Sequence, residues 1–291
     1  MFIKSYLLAG SLAATCLGNP LTARQGFCGT AEPSEEERNE SRLQIANADV
    51  GELMVAGATT TVPTYVHVVA KSNTLEGGYL TRDTILAQME QLNIDFTGTG
   101  FNFSLTDIDW TVNAKWDVSA NWIFNGNQTA KKDDMEMRKK LRKGGYGSLN
   151  LYVHGSFEGG YCTFPRNVAV GSTGFYADGC YISRLTVPGG SSDTFSQGKV
   201  ASHEVGHWLY LYHTFQDGCD GAGDEVADTP AEALKQGAQG CPVGSDTCPT
   251  LPGLDPIHNH MTYTADTCRT EFTSGQISRM LAAWSTYRAG K

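Results

Sequence analysis

The residues with the most chemistry in them lie between positions 203 and 213. His203, Glu204 and His207 form an H-E-x-x-H pattern, and His213 follows six residues later. On a helix of about 3.6 residues per turn and ~1.5 Å rise per residue, His203 and His207 sit one turn apart on one face and can hold one metal ion. Glu204 projects beside them, near a bound water without having to ligate the metal. A chain turning back after Leu209 brings His213 round as a third ligand. Three nitrogens with one open position is the donor set of a catalytic zinc site, not of a closed structural one. Zinc lowers the pKa of a bound water to about 7, and a neighbouring carboxylate can take its proton as it attacks a carbonyl. The bare motif fixes only three positions and also arises by accident on surface helices. The third histidine argues against accident. So do Val200, Val205, Trp208 and Leu211, which mark the helix as buried, because buried histidines need partners.

Other segments must position this stretch. Residues 64–70, Thr-Tyr-Val-His-Val-Val-Ala, read as a strand rich in branched side chains. Residues 81–96 read as a helix with Ile85, Met89 and Leu92 on one stripe. Phe101, Phe103 and Leu105 alternate with polar residues, so a strand with one wet face is expected, with Asn102 outward. Residues 110–118 extend the pattern as a second strand. Residues 131–143 form a charged helix with Met137 and Leu141 inward and Gly144 as its stop. Leu149, Leu151 and Val153 mark a further strand. Residues 155–190 show little periodicity and many glycines, and residues 214–272 are mostly loop, a length that calls for function or tethering. Thr273 caps a last helix whose stripe is Ile277, Met280, Leu281 and Trp284. This order predicts an α+β fold: a twisted mixed sheet with packed helices, the histidine helix, then a loop-rich, disulfide-tied C-terminal part ending in a helix.

The bulk properties set the compartment and exclude some partners. The chain has 291 residues, formal net charge −9 and no basic stripe, which excludes a nucleic-acid partner. Residues 1–18 read as a secretory signal: Lys4 is the positive head, and Tyr6 to Leu17 is apolar but too short to span a bilayer. Cleavage after Ala23 is the other option. No other stretch is long and apolar enough to cross a membrane. Residues 19–50 read as a leader in which residues 35–40 are strongly polar, either a solvated pro-segment or a short exposed helix. Residues 51–291 are then one catalytic domain, upper part to about 213 and lower part 214–291. Of eight cysteines, Cys16 leaves with the signal and seven remain. In an oxidising compartment they pair, with one thiol left over. Asn39, Asn102 and Asn127 each begin a glycosylation sequon.

The histidine stretch, taken with residues 224–230 (Asp-Glu-Val-Ala-Asp-Thr-Pro) and 258–263 (His-Asn-His-Met-Thr-Tyr), resembles the pappalysin-type metzincin metalloproteases, in particular their fungal secreted branch. Residues 161–165 and 272–276 fit the same pattern, so the resemblance covers nearly all of the chain after the leader. It implies a secreted zinc endopeptidase acting on proteins and peptides; the chain is expected to be a monomer. His203, His207 and His213 match the zinc ligands and Glu204 the general base. Met261 matches the methionine turn beneath the metal, and Tyr263 the tyrosine that supports the oxyanion; a packed core tyrosine is the other reading of Tyr263. The resemblance pairs Cys241 with Cys268, Cys219 with Cys248, and Cys162 with Cys180, leaving Cys28. Cys28 has two readings: a latency thiol on the open zinc position, or an unpaired leader cysteine. Asp217, Asp220, Asp224 and Asp228 form an acidic loop in which Asp224 and Asp228 suit calcium, unless the loop is merely solvated.

Two positions depart from the family pattern. Tyr210 stands where a glycine turns the chain with positive φ, a strain of order 1–2 kcal/mol for a side-chain-bearing residue. Thr262 stands where an Asp buttresses the turn methionine. Together they motivate a competing reading, a degenerate member that binds zinc or peptide with little turnover. A hydrolase for non-peptide substrates has no motif in its favour. His67, His154, His258 and His260 are read as packed or cleft-shaping residues with no catalytic role.

Overall fold

The computed structural model describes residues 27–48, 51, 59–234 and 240–291. The signal segment expected at 1–18 and the first leader residues lie outside them. Helix α1 (Glu35–Ala46) lies in the stretch expected as the leader, followed by β1 (Thr60–Ala70), α2 (Arg82–Asp95), β2 (Phe101–Val112), α3 (Ala114–Asp117), α4 (Trp122–Asn125) and α5 (Gln128–Leu141). Then come β3 (Leu149–His154), β4 (Gly160–Cys162), α6 (Thr173–Ala177), β5 (Cys180–Ser183), α7 (Lys199–Trp208) and α8 (Ser274–Tyr287). The strands form one five-stranded sheet in the order β2-β1-β3-β5-β4. All neighbours pair in parallel except β4, which runs antiparallel to β5 and forms one edge.

Helices cover both faces of this sheet, as parallel pairing demands. One core joins Val66, Val68, Leu149, Leu151, Val153 and Ile182 to residues of α2 (Ile85, Met89) and α7 (Val200, Val205, Trp208). A second joins Val69, Tyr152 and Tyr181 to Trp116 of α3 and to Met137 and Leu141 of α5. Every residue of β3 is therefore buried, which its sequence Leu-Asn-Leu-Tyr-Val-His only half suggests. Local chemistry starts the helices. Thr81 accepts a backbone hydrogen bond at the start of α2, Asn127 does so for α5, and Thr273 with Gln276 makes a reciprocal capping box on α8.

The structure departs from the sequence reading at three places. The strand expected to continue over 110–118 stops at Val112, because the Asn113 side chain accepts from Lys115 and Trp116 and starts α3. Gly144 is not the direct stop of the charged helix: α5 ends at Leu141, and Gly144 lies three residues on with φ 73°. The supposedly irregular span 155–190 contains β4, α6 and β5, and β5 is an inner strand. Strands of three and four residues are too short to declare a period. Of the two readings of the polar run at 35–40, the structure takes the helix: α1 starts with its own Ser34–Glu37 capping box.

Among the described residues no helix or strand lies between α7 and α8. Disulfides Cys219–Cys248 and Cys241–Cys268 tie this stretch, and Cys162–Cys180 joins β4 to β5. Among the described residues Cys28 is the free cysteine, and it is buried. Asn39, Asn102 and Asn127 are all exposed.

Candidate active site

Helix α7 lies under the β4–β5 edge and carries His203, Glu204 and His207, all fully buried. It ends in a reversal of defined geometry. Leu211 N–H returns to the Gly206 carbonyl at 2.9 Å and Tyr210 N–H to the His207 carbonyl at 2.9 Å, a pair of bonds that closes helices through a left-handed residue. That residue is Tyr210, at φ 76°. The strain of about 1–2 kcal/mol for a non-glycine there is offset by packing. The Tyr210 ring stacks on Tyr287 at 5.7 Å and meets Phe164 and Tyr212, and its carbonyl accepts from Arg279 Nε at 2.9 Å. The turn places His213 beside the other two histidines.

The three imidazoles converge. His207 Nε2 lies 3.2 Å from His203 Nε2 and 3.2 Å from His213 Nε2. His203 Nδ1 sits 2.7 Å from the His260 carbonyl and His207 Nδ1 2.7 Å from the Leu211 carbonyl, so both rings donate outward and turn their Nε2 lone pairs on one another. Burial pushes His207 down to about 4 and His203 well below its ordinary range, which keeps both rings neutral. Facing lone pairs repel unless a cation lies between them. The Cys28 sulfur completes the cluster, 3.5 Å from His207 Nε2, and the four ligand atoms lie within 4.8 Å of one another. A tetrahedral zinc with Zn–N ~2.0–2.1 Å and Zn–S ~2.3 Å requires N–N edges of about 3.3 Å and N–S edges of about 3.6 Å. The donor set fits that ion in type and spacing.

Glu204 is fully buried beside the cluster, and burial pushes its carboxyl up to about 8. A dication at the histidines would draw it back down. Its Oε2 accepts from Thr30 Oγ1 at 3.0 Å and from Cys28 Sγ at 3.5 Å. A Cβ on Gly160 would stand 2.4 Å from Glu204 Cγ, so glycine there is what leaves room for the carboxylate. Met261 lies beneath the centre against α7, where a Cβ on Gly206 would stand 2.4 Å from its sulfur. The turn that carries Met261 is fixed from α8. Asn259 and Gln276 exchange side-chain hydrogen bonds at 2.7 and 3.0 Å, and Asn259 Oδ1 accepts from Met261 N–H at 2.9 Å. Tyr263 points its hydroxyl at the centre, 3.2 Å from His213 Nε2 and 3.5 Å from the Cys28 carbonyl.

Thr262 does not lack a carboxylate partner. Glu232, buried, accepts from Thr262 Oγ1 at 2.8 Å and from Thr214 Oγ1 at 2.6 Å. It thereby joins the residue after Met261 to the residue after His213. Nothing in the local sequence around Glu232 points to this role.

The segment expected as the leader lies in the cleft, with Thr30 on Glu204 and Phe27 and Gly29 on Gly160. Gly29 N–H donates to the Gly160 carbonyl and Gly160 N–H to the Phe27 carbonyl, both at 2.8 Å, so residues 27–29 lie parallel to β4 along its free edge. Beyond them α1 is held by Arg38–Asp217 at 2.9 Å and Arg42–Glu225 at 2.5 Å. The remaining histidines stand apart from the centre. His67 bridges Asp109 and Asn150, His154 ends β3, His258 bonds the Cys268 carbonyl, and His260 contributes its carbonyl to His203.

The chain has known relatives. A peptidase family model described as Pregnancy-associated plasma protein-A matches residues 149–285. An extracellular metalloprotease of Neurospora crassa is 44% identical, covering 99% of each chain. Extracellular metalloprotease 1 of Coccidioides posadasii is 42% identical, covering 98% of this chain and 97% of its own. In fold the chain is similar to Tannerella forsythia promirolysin, with TM-score 0.63, 24% identity and coverage of 86% and 88%. It is also similar to mature mirolysin, with TM-score 0.61, 24% identity and coverage of 80% and 97%. The match of motif, sequence and sheet leads to one conclusion: the chain belongs to the pregnancy-associated plasma protein-A, or pappalysin, family of metallopeptidases.

Proposed function

We propose that this chain is a secreted zinc endopeptidase made in a latent form, with Glu204 as general base and the leader as inhibitor. The observation that carries the reading is the set of Nε2 atoms 3.2 Å apart, closed by the Cys28 sulfur at 3.5 Å. When bound, zinc supplies Lewis acidity that polarises a carbonyl and acidifies water. His203, His207 and His213 would hold it. Glu204 takes the proton of the attacking water and returns it to the leaving amine. The Tyr263 hydroxyl donates to the oxyanion. The Gly160 N–H and carbonyl, which the leader engages, pair with the backbone of a peptide laid along β4.

Cys28 enforces latency in this reading. Burial raises its thiol pKa and the Glu204 charge adds to that, so the sulfur is held as ligand only by a cation. The same leader segment blocks the base through Thr30 and the sheet edge through Phe27 and Gly29. Its removal frees Glu204, Tyr263 and the fourth ligand position together. The division into signal 1–18, leader 19–50 and catalytic domain 51–291 belongs to this proposal, as do glycans on Asn39, Asn102 and Asn127. The signal, the three disulfides and the names of the relatives support export. No described helix is long and apolar enough to cross a membrane. A monomer without nucleic-acid partner agrees with the acidic charge.

Calcium at Asp224 and Asp228 is not part of the proposal. Asp224 accepts from Thr229 and Val226 N–H, and Asp228 accepts from Thr273 and Gly275 N–H at the start of α8. Protein donors already engage both carboxylates. The degenerate reading loses its two motives, because Tyr210 holds the turn and Glu232 buttresses Thr262. The test is zinc stoichiometry together with chelator-sensitive cleavage by the processed protein, with Glu204→Ala as control. One zinc per chain and cleavage abolished by the substitution are expected. Zinc-free folded protein, or cleavage unaffected by Glu204→Ala, overturns the proposal.

A further inference from the structure

We propose that the pocket holding Phe27 is a substrate subsite beside the scissile bond, and that it selects an aromatic side chain. The proposal rests on the peptidase reading above. Phe27 belongs to the leader, yet it sits as a bound peptide residue would. Its carbonyl accepts from the Gly160 N–H of the edge strand at 2.8 Å, and its neighbour Cys28 lies at the metal centre. Its side chain is 4% exposed. The ring touches Phe195 at 4.4 Å, Tyr263 at 4.8 Å and the edge of His203 at 4.9 Å between ring centres. The Arg269 guanidinium lies over the ring, 4.8 Å from its centre.

These walls do not depend on the leader. Phe195 is held by its N–H bond to Ser192 Oγ at 3.0 Å. Its loop is tied to Asp266 on both sides, through Gln197 N–H at 2.9 Å and the Thr194 carbonyl at 3.2 Å. Arg269 is fully buried and paired with that same Asp266. His203 and Tyr263 belong to the active centre. Departure of the leader therefore leaves a preformed slot one residue from the metal.

The slot's chemistry decides what enters. Aromatic rings gain edge and face contacts with Phe195 and Tyr263 beyond simple burial. A cation over the ring face adds a term that an aliphatic side chain cannot collect. The Arg269 Nε is buried with no hydrogen-bond partner, although Asp266 balances the guanidinium through its other edge. A lysine or arginine there meets a like charge out of water. An aspartate meets an arginine already paired with Asp266 and loses its hydration. Phenylalanine and tyrosine are expected to exceed leucine by roughly tenfold in kcat/KM, and lysine by roughly a hundredfold.

The test uses processed protein and quenched peptides that differ only at the residues flanking the cut, which carry Phe, Tyr, Leu, Lys, Asp or Ala. A digest of a denatured protein mixture is run alongside. Enrichment of aromatic residues on one side of the cut supports the proposal. Absence of aromatic enrichment overturns it, and so does enrichment of acidic or basic residues. Cleavage of the protein mixture without aromatic preference leaves the peptidase reading standing and removes this one, whereas no cleavage removes both. A second arm measures inhibition by a peptide of residues 27–33 with Cys28→Ser. Adding Phe27→Ala to that peptide is expected to weaken inhibition about tenfold, and equal inhibition by the two peptides counts against the slot. Phe195→Leu should narrow the Phe-to-Leu ratio. If that variant does not fold, the peptide series on the unaltered protein still decides.

Discussion

Replacing Glu232 tests whether a carboxylate outside every motif holds the metal centre together. Its oxygens accept from Thr214 at 2.6 Å and from Thr262 at 2.8 Å, each threonine directly following a residue of the site. Glu232→Ala removes both bonds and leaves two buried hydroxyls unsatisfied. A hydrogen bond to a charged group contributes about 1.5–3 kcal/mol, and an orphaned buried donor costs about 1–3 kcal/mol. Because the charged carboxylate was itself raised in pKa by burial, part of that sum is returned, and a loss of about 2–4 kcal/mol is expected. The loss should also appear in zinc retention, since partners of this kind change metal affinity about 10–100-fold. The assay is urea unfolding of chelated and zinc-loaded protein, with zinc release followed by a chromogenic chelator. The swap is more discriminating. Thr262→Asp alone sets two carboxylates within hydrogen-bond distance and should destabilise. Thr262→Asp with Glu232→Gln restores one donor and one acceptor and should recover most of the loss, a coupling of about 2 kcal/mol or more. Strictly additive effects, or a Glu232→Ala protein within about 0.5 kcal/mol of the parent and with unchanged zinc release, would refute the reasoning.

Three further outcomes follow from the site. Cys28→Ala in the full-length chain should show cleavage without processing, because the sulfur closes the ligand set; a variant as silent as the unprocessed parent would remove Cys28 from latency. Gly160→Ala should lower kcat about 10–100-fold while zinc content stays at one per chain, since the new Cβ displaces the Glu204 carboxylate by an ångström or so. Unaltered kcat would show that Glu204 does not need its observed position. Burial raises the Asp224 carboxyl to about 6, and the Asp228 charge adds to it. A raised folded pKa gives a stabilising contribution present in full below the unfolded value near 4 and lost as pH rises through 6, about 3 kcal/mol in all. The stability of the parent relative to Asp224→Asn should fall by about that amount between pH 4 and pH 7.5, and a pH-independent difference in thermal melts would contradict it.

The parts of this protein that its sequence determines are those set by neighbours within a few residues. The spacing of His203, Glu204 and His207 means one face of any helix that contains them, whatever surrounds it. Thr81, Asn127 and Thr273 start their helices by capping backbone groups two or three residues away. The stripe of α8 and the branched run of β1 declare themselves by period. Tertiary structure decided what depends on residues far apart in the chain. Glu232 reaches Thr262 across thirty positions of sequence, and no local period encodes that contact. Tyr210 keeps a glycine's conformation only because Tyr287 and Arg279 pack and bond against it. Gly160 must be small because Glu204, from another element, lies against it. β4 and β5 are too short to show alternation and exist because β3 and the Cys162–Cys180 bridge hold them in register. The leader's place in the cleft is of the same kind: Phe27 and Cys28 acquire their meaning from an aromatic slot and three histidines more than 160 residues downstream. Periodicity and capping report on one element at a time, whereas complementarity of shape and charge between elements is fixed only when the whole chain packs.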